Sequence, residues 1–165
     1  MNKNRITKEC FTVVVEEVKD VMYRISYGIL KNEADAEDAV AEALLKAWEK
    51  LGNLEKEESL RSWLIRIVIN TSKNILSARM WMMPYGLDEI AAVVPFWEGP
   101  PETDIWDYVR EVSEVYRTVL LLYYYSGYSV RETAEILNVP EGTVKSRLAR
   151  ARKKLRQIIE YDEEA

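Results

Sequence analysis

Between Thr143 and Arg156 the chain carries Lys145, Arg147, Arg150, Arg152, Lys153, Lys154 and Arg156 and no acid. So dense a run of cations suits a polyanion, and arginine in particular offers a planar fork that fits a phosphate or the major-groove edge of guanine. The same run would also serve as the solvated face of a core helix, and helical phase distinguishes the two. On a helix, Val144, Leu148, Ala151 and Leu155 share one face, while Thr143, Ser146, Arg150 and Lys153 lie on the outer one, flanked by Lys145, Arg147 and Lys154. One face then has a core to join, and the other is free to reach base edges and phosphates.

Two further groups have types and spacing that suggest binding. Trp63, Arg66, Asn70 and Lys73 form a stripe away from the apolar positions Leu60, Leu64 and Ile67. A tryptophan, two cations and an amide suit stacking on an unpaired base and holding a strand backbone. A partly buried core tryptophan is the plainer alternative. Asp35, Asp38 and Glu42, also at helical spacing, make an acidic stripe, although acids near a helix start are favoured by the macrodipole whatever else they do.

Catalysis finds little to work with. There is no histidine, which removes the commonest general base and metal ligand, and Cys10 is the single cysteine, which precludes an internal disulfide or a cysteine-based zinc site. No glycine-rich phosphate loop or nucleophile-base pair is present, so neither catalytic residues nor a metal or cofactor is expected. No apolar run approaches the roughly 20 residues of a membrane span, and the first residues lead into no signal-peptide core. A cytoplasmic protein, not inserted in a membrane, is expected.

The elements that must position these groups are all helical. With 48% hydrophobic residues in 165, the chain can bury folded cores. Phe11, Val14, Val15, Val18, Met22, Ile25 and Ile29 mark a first amphipathic helix ending near residues 28–31. Asn32 is a candidate N-cap for a second, with the stripe Ala36, Val40, Ala43, Leu44, Ala47, Trp48 and Leu51 and a stop at Gly52. After a charged loop at 53–58, Ser59 can cap a third, with Leu60, Leu64, Ile67, Val68, Thr71 and Ile75 buried, running to about Met80. Residues 83–104 lack a sustained period, are punctuated by Pro84, Gly86, Pro95, Gly99, Pro100 and Pro101, and carry Asp88, Glu89, Glu98, Glu102 and Asp104. Helical signals return at 105–111, 114–125, 130–137 and 140–159. The reading is therefore an all-α chain of two small bundles, 1–82 and 105–165, joined by an acidic linker at 83–104. The net charge of −5 hides this segregation of a basic reader behind an acidic spacer.

In the second bundle, Ser129-Val130-Arg131-Glu132 has the form of a capping box, Asn138-Val139-Pro140 makes a short turn, and proline suits the first position of the helix that follows. Gly142 leaves that helix start open to a phosphate. Two helices joined in this way suit a helix-turn-helix that lays its second helix in the DNA major groove.

The runs 127–134 (Gly-Tyr-Ser-Val-Arg-Glu-Thr-Ala) and 142–152 (Gly-Thr-Val-Lys-Ser-Arg-Leu-Ala-Arg-Ala-Arg) resemble the fourth region of extracytoplasmic-function sigma factors. Residues 34–42, 46–48 and 63–70 are similar in order and spacing to the second region of the same family. The resemblance implies a factor that binds core RNA polymerase and directs promoter-specific transcription initiation. It implies that Asp35, Asp38 and Glu42 dock on a coiled coil of the polymerase's largest subunit. Trp63, Arg66, Asn70 and Lys73, with the loop at 53–58, would engage the minus-ten element and a base flipped from it. Thr143, Lys145, Ser146, Arg147, Arg150 and Lys153 would read the minus-thirty-five element. It further implies a membrane-associated anti-sigma factor as partner, and a linker that threads through polymerase near the RNA path. The chain departs from the family pattern at Ala41, where a glutamine is common, at Val112-Ser113 in place of Leu-Pro, and at Met80-Trp81-Met82-Met83 in place of a basic run. The competing readings are a helix-turn-helix regulator that binds duplex DNA alone and a helical protein-interaction module.

Overall fold

The computed structural model describes residues 6–82 and 105–164, every regular element of which is helical. The acidic stretch 83–104 lies outside the described residues. The chain divides into two compact units, Met1–Phe96 and Trp97–Ala165. No described helix is long and apolar enough to cross a membrane.

The first unit is a three-helix bundle of α1 (Lys8–Leu30), α2 (Glu33–Lys50) and α3 (Leu60–Met82). Thr7 caps α1, its hydroxyl accepting the Cys10 N–H at 3.1 Å. The helix stops where Lys31 turns left-handed (φ 55°), and Asn32 at once caps α2 by accepting the Asp35 N–H at 2.9 Å. So tight a link folds α2 back against α1. Met22, Ile25, Leu30, Leu60, Leu64, Ile65 and Val68 fill the core.

The face of α2 is rotated from the expected one. Ala36, Ala39, Ala43 and Ala47 are fully buried, whereas Val40 and Leu44 are only half-buried and Trp48 is 43% exposed. A row of methyl groups lets the backbones approach closely, and the larger side chains then wrap the seam from its edges. Trp48 rests edge-on against Phe11, with ring centroids 5.4 Å apart, and the Lys8 ammonium lies 5.6 Å from its ring. Where the helices close in, the core turns polar and satisfied. The Ser72 hydroxyl donates to Val68 O at 2.8 Å and accepts from the Ser26 hydroxyl at 2.9 Å, with Ala36 O at 3.3 Å as the alternative acceptor for the Ser26 proton.

The connection expected as a plain loop holds two 3-10 turns, Leu51–Asn53 and Glu57–Ser59. Ser59, expected as a cap, ends the second of these turns, which runs straight into α3, and its carbonyl accepts the Ser62 hydroxyl at 3.1 Å. Helix α3 also buries Ile65, Ile69 and Ser72 beyond the expected stripe and reaches Met82.

The second unit contains α4 (Ile105–Glu111), α5 (Glu114–Leu120) continuing into a wide turn at Leu121–Tyr125, α6 (Val130–Leu137) and α7 (Glu141–Glu164). In the wide turn the Ser126 N–H reaches back five residues to Leu121 O at 2.9 Å, which adds a residue to the helix end and buries Leu121 and Leu122 together. Gly127 (φ 72°) then reverses the chain toward α6 in a conformation that a side chain would strain. Val109, Val119, Leu120, Ala134, Val144, Leu148 and Ala151 form the core. Helix α7 outruns its expected end by five residues. Its acids there oppose the helix dipole, and the Tyr108 hydroxyl holds Asp162 at 2.7 Å.

Candidate nucleic-acid interface

The turn between α6 and α7 is built from local bonds. The Ser129 hydroxyl accepts the Glu132 N–H at 3.1 Å while the Glu132 carboxylate accepts the Ser129 N–H at 2.8 Å, a complete capping box. At the other end of α6, Asn138 is left-handed (φ 53°) and the Val139 N–H returns to Ala134 O at 3.0 Å. Pro140 stands just before α7 instead of opening it, and its carbonyl accepts the Thr143 and Val144 N–H groups at 3.0 and 3.3 Å. Nothing lies within 4 Å of where a Cβ on Gly142 would sit, so the helix start is open to a close approach.

The hydrogen bonds from Ser129 hold the Glu132 carboxyl below the ordinary glutamate range, the backbone N–H contributing most. A depressed carboxylate stabilises the fold fully above its unfolded pKa and loses that contribution as pH falls through the folded one. Ser129→Ala is therefore expected to destabilise the second unit by about 1 kcal/mol at neutral pH. Because the Ser129 N–H that contributes most to the Glu132 shift survives in the variant, only the smaller part of the deficit due to the hydroxyl's effect on the carboxylate should fade in acid below the ordinary glutamate range. Urea unfolding of parent and variant at both pH values checks this.

Val144, Leu148 and Ala151 of α7 are buried and Leu155 half-buried, which turns Lys145, Ser146, Arg150 and Lys153 outward as exposed residues. Thr143 and Arg147 are partly buried at the flanks. The Ser146 hydroxyl donates to Gly142 O at 3.0 Å, so toward a ligand it is an acceptor first. Arg152 is set apart from the rest of the run, because its guanidinium donates to the Tyr124 hydroxyl at 3.1 Å on the α5 side.

In the first unit, α3 brings Trp63, partly buried, into line with exposed Arg66, Asn70 and Lys73. The acidic stripe of α2 divides. Asp38 and Glu42 are exposed, with Glu42 paired to Lys46 one turn on, but Asp35 is partly buried and bound to Arg79 in an ion pair. Arg79 also donates to Leu30 O at 3.2 Å, so it latches the end of α3 to the junction of α1 and α2.

Sequence reasoning missed this latch, as well as Arg117, which lies buried with its guanidinium on three carbonyls near the end of α4. A cation in phase with Leu120 and Leu121 was the available signal for Arg117. For Arg79, a basic residue in the last turn of a helix reads as nothing more than a dipole partner. No group of three or more His, Cys, Asp or Glu among the described residues could hold a metal. The Cys10 thiol is pushed up to about 11, chiefly by its hydrogen bond to Glu57 and then by burial, and stays protonated at neutral pH.

Residues 14–82 match the family model of sigma-70 region 2, and residues 103–155 that of sigma-70 region 4. The chain is 30% identical over 168 residues to the ECF RNA polymerase sigma factor SigW of Bacillus subtilis, covering 91% of this chain and 89% of that one. It is 27% identical over 157 residues to the RNA polymerase sigma factor SigV of the same organism, covering 94% and 95%. Among solved structures, the sigma factor RpoE of Bartonella quintana, in complex with the anti-sigma factor NepR, superposes with a TM-score of 0.75 at 26% identity, covering 94% of this chain and 99% of that one. Two matched sigma-70 regions in order, with full-length relatives beside them, place the chain in the family of extracytoplasmic-function RNA polymerase sigma factors, which direct transcription initiation and are not enzymes.

Proposed function

We propose that the two units divide the promoter between them. Helix α7 reads the minus-thirty-five duplex with Lys145, Ser146, Arg150 and Lys153, while Thr143 and Arg147 contact the flanking backbone. Helix α3 holds the opened minus-ten strand through Trp63, Arg66, Asn70 and Lys73. Asp38 and Glu42 dock on the coiled coil of the largest polymerase subunit. Asp35, the third acid expected there, supports that docking from beneath through its bond to Arg79. The protein works in the cytoplasm beside polymerase, and an anti-sigma factor is its second protein partner, a reading supported by its likeness to a sigma factor solved with one. The observation that carries the proposal is the fully capped turn leading into a helix with one buried apolar face and one outward cationic face.

Arg150→Ala is expected to weaken minus-thirty-five recognition by ~1–3 kcal/mol. Trp63→Ala is expected to spare upstream binding and to impair strand opening, read by permanganate footprinting of the holoenzyme on its promoter. Normal opening in a stably folded Trp63→Ala protein removes Trp63 from the minus-ten site. Polymerase dependence tests the reading as a whole. A regulator acting alone shifts DNA unaided and an interaction module shifts none, whereas this chain should do so well only with core polymerase.

A further inference from the structure

Helix α3 is unlike its neighbours in charge. Its 23 residues carry Arg61, Arg66, Lys73 and Arg79 and no acid, whereas α2 carries Glu33, Asp35, Glu37, Asp38, Glu42 and Glu49. Arg61 and Arg79, toward the two ends of α3, are paired with Glu17 and Asp35, which leaves Arg66 and Lys73 in its middle to face a phosphate backbone. Its last turn is also its most exposed apolar one, with Met80 47%, Trp81 89% and Met82 83% accessible.

The position of Trp81 gives that turn a direction. Eighteen residues separate it from Trp63, and at 3.6 residues per turn this is a whole number of turns, so both tryptophans leave the helix on the same side, about 27 Å apart. Between them on that side Asn70, Asn74 and Ser77, with Arg66 and Lys73 on one flank, are exposed, while Ile67 on the other flank is half-buried. The track from Trp63 therefore does not stop at Lys73 but ends on a second indole. Nor is the turn bearing Trp81 a loose helix end, because Arg79, two residues before it, is bound to Asp35 and to Leu30 O. An aromatic ring held out on an anchored turn has already lost much of the freedom that binding would otherwise remove.

We propose that Trp81 is a second base-stacking residue, which extends the grip of α3 on the opened promoter strand and replaces phosphate charge by stacking at that end of the track. The proposal rests on the reading of Trp63 as a residue of the minus-ten site. Stacking differs from ion pairing in a measurable way. Cations release counterions and make affinity fall with salt, by a slope of roughly 0.7 per phosphate neutralised on a single strand, whereas an indole adds affinity with little slope.

The test uses the holoenzyme on a promoter that the parent holoenzyme selects from a random duplex library. Trp81→Ala should shorten the open-complex lifetime by roughly five- to a hundredfold at every salt concentration, the range expected for one lost base stack. Trp81→Phe should recover most of it. Trp81→Arg should recover it at low salt only, with the salt slope steeper by about 0.7. A photo-crosslinking amino acid in place of Trp81 should label a promoter strand. Unchanged lifetime in Trp81→Ala, or a crosslink confined to polymerase or to this chain itself, overturns the proposal. A parallel Trp63→Ala holoenzyme separates the two failures. If it fails to open while Trp81→Ala is normal, only Trp81 is misassigned. If both behave as the parent does, the reading of α3 as the strand-holding helix falls with it.

Discussion

An Asp38→Lys, Glu42→Lys double variant is expected to lose assembly with core polymerase, its affinity falling by more than about a hundredfold. Both side chains are exposed on α2, and a like-charge encounter across a protein interface costs several kcal/mol. The variant should nevertheless fold. Asp38 lies beyond the first turn of α2, where the macrodipole has faded, and losing the pair of Glu42 with Lys46 costs only about 0.3–0.5 kcal/mol. Fluorescence titration of labelled protein with core enzyme, beside circular dichroism of the free protein, separates docking from folding. Undiminished affinity at matched helical content rejects the docking role. Asp35→Asn is the informative contrast. It breaks the ion pair with Arg79 and should lower the melting temperature of the first unit, with a smaller effect on assembly than the double reversal.

The parts that were legible in the sequence are those governed by local rules. Asn32 and Ser129 cap because a short polar side chain can reach an N–H three residues on, and the helix-turn-helix could be read because its caps, turn and apolar phase all lie within about 30 residues. What the sequence concealed depends on the third dimension. The rotated face of α2 follows from how closely α1 and α3 approach, which no pattern within α2 records, so Ala39 was overlooked and Trp48 overvalued. Asp35 could be placed on an acidic stripe but not seen to be committed to Arg79, 44 positions away. Arg152 belongs to the basic run by composition, yet Tyr124 of the wide turn after α5 draws it aside. For Asp35 and Arg152 the residue type suits the surface on which it was read, and a distant partner determines its orientation.

Arg117 carries the largest expected effect on stability. It is 6% exposed, and its guanidinium donates from Nε to Val109 O at 3.2 Å and from Nη2 to Arg110 O at 2.7 Å and Val112 O at 2.5 Å. The last carbonyls of a helix have no partner within it, and α4 is too short to lose any, so α5 supplies from the side what α4 cannot supply for itself. The cation also faces the negative end of the α4 dipole. Arg117→Met fills much of the same volume but leaves the buried Val112 O and the part-buried Arg110 O without this donor, while Val109 O keeps only the Val112 N–H at 3.3 Å, at a cost of about 3 kcal/mol. Arg117→Lys keeps the charge but concentrates its donors on one nitrogen, which cannot reach all three carbonyls at good geometry, and should recover only part of the loss. For a unit of some 60 residues, whose whole stability is expected to be roughly 3–9 kcal/mol, that deficit is a large fraction. Hydrogen exchange in the full chain should show the amides of α5, α6 and α7 opening about a hundredfold more often in Arg117→Met, while those of α1, α2 and α3 keep the protection of the parent. Binding at the minus-thirty-five element should weaken with them, because α7 reads DNA only while the core that orients it is closed. Equal protection of α5 to α7 in parent and variant would mean that water satisfies these carbonyls as well as Arg117 does.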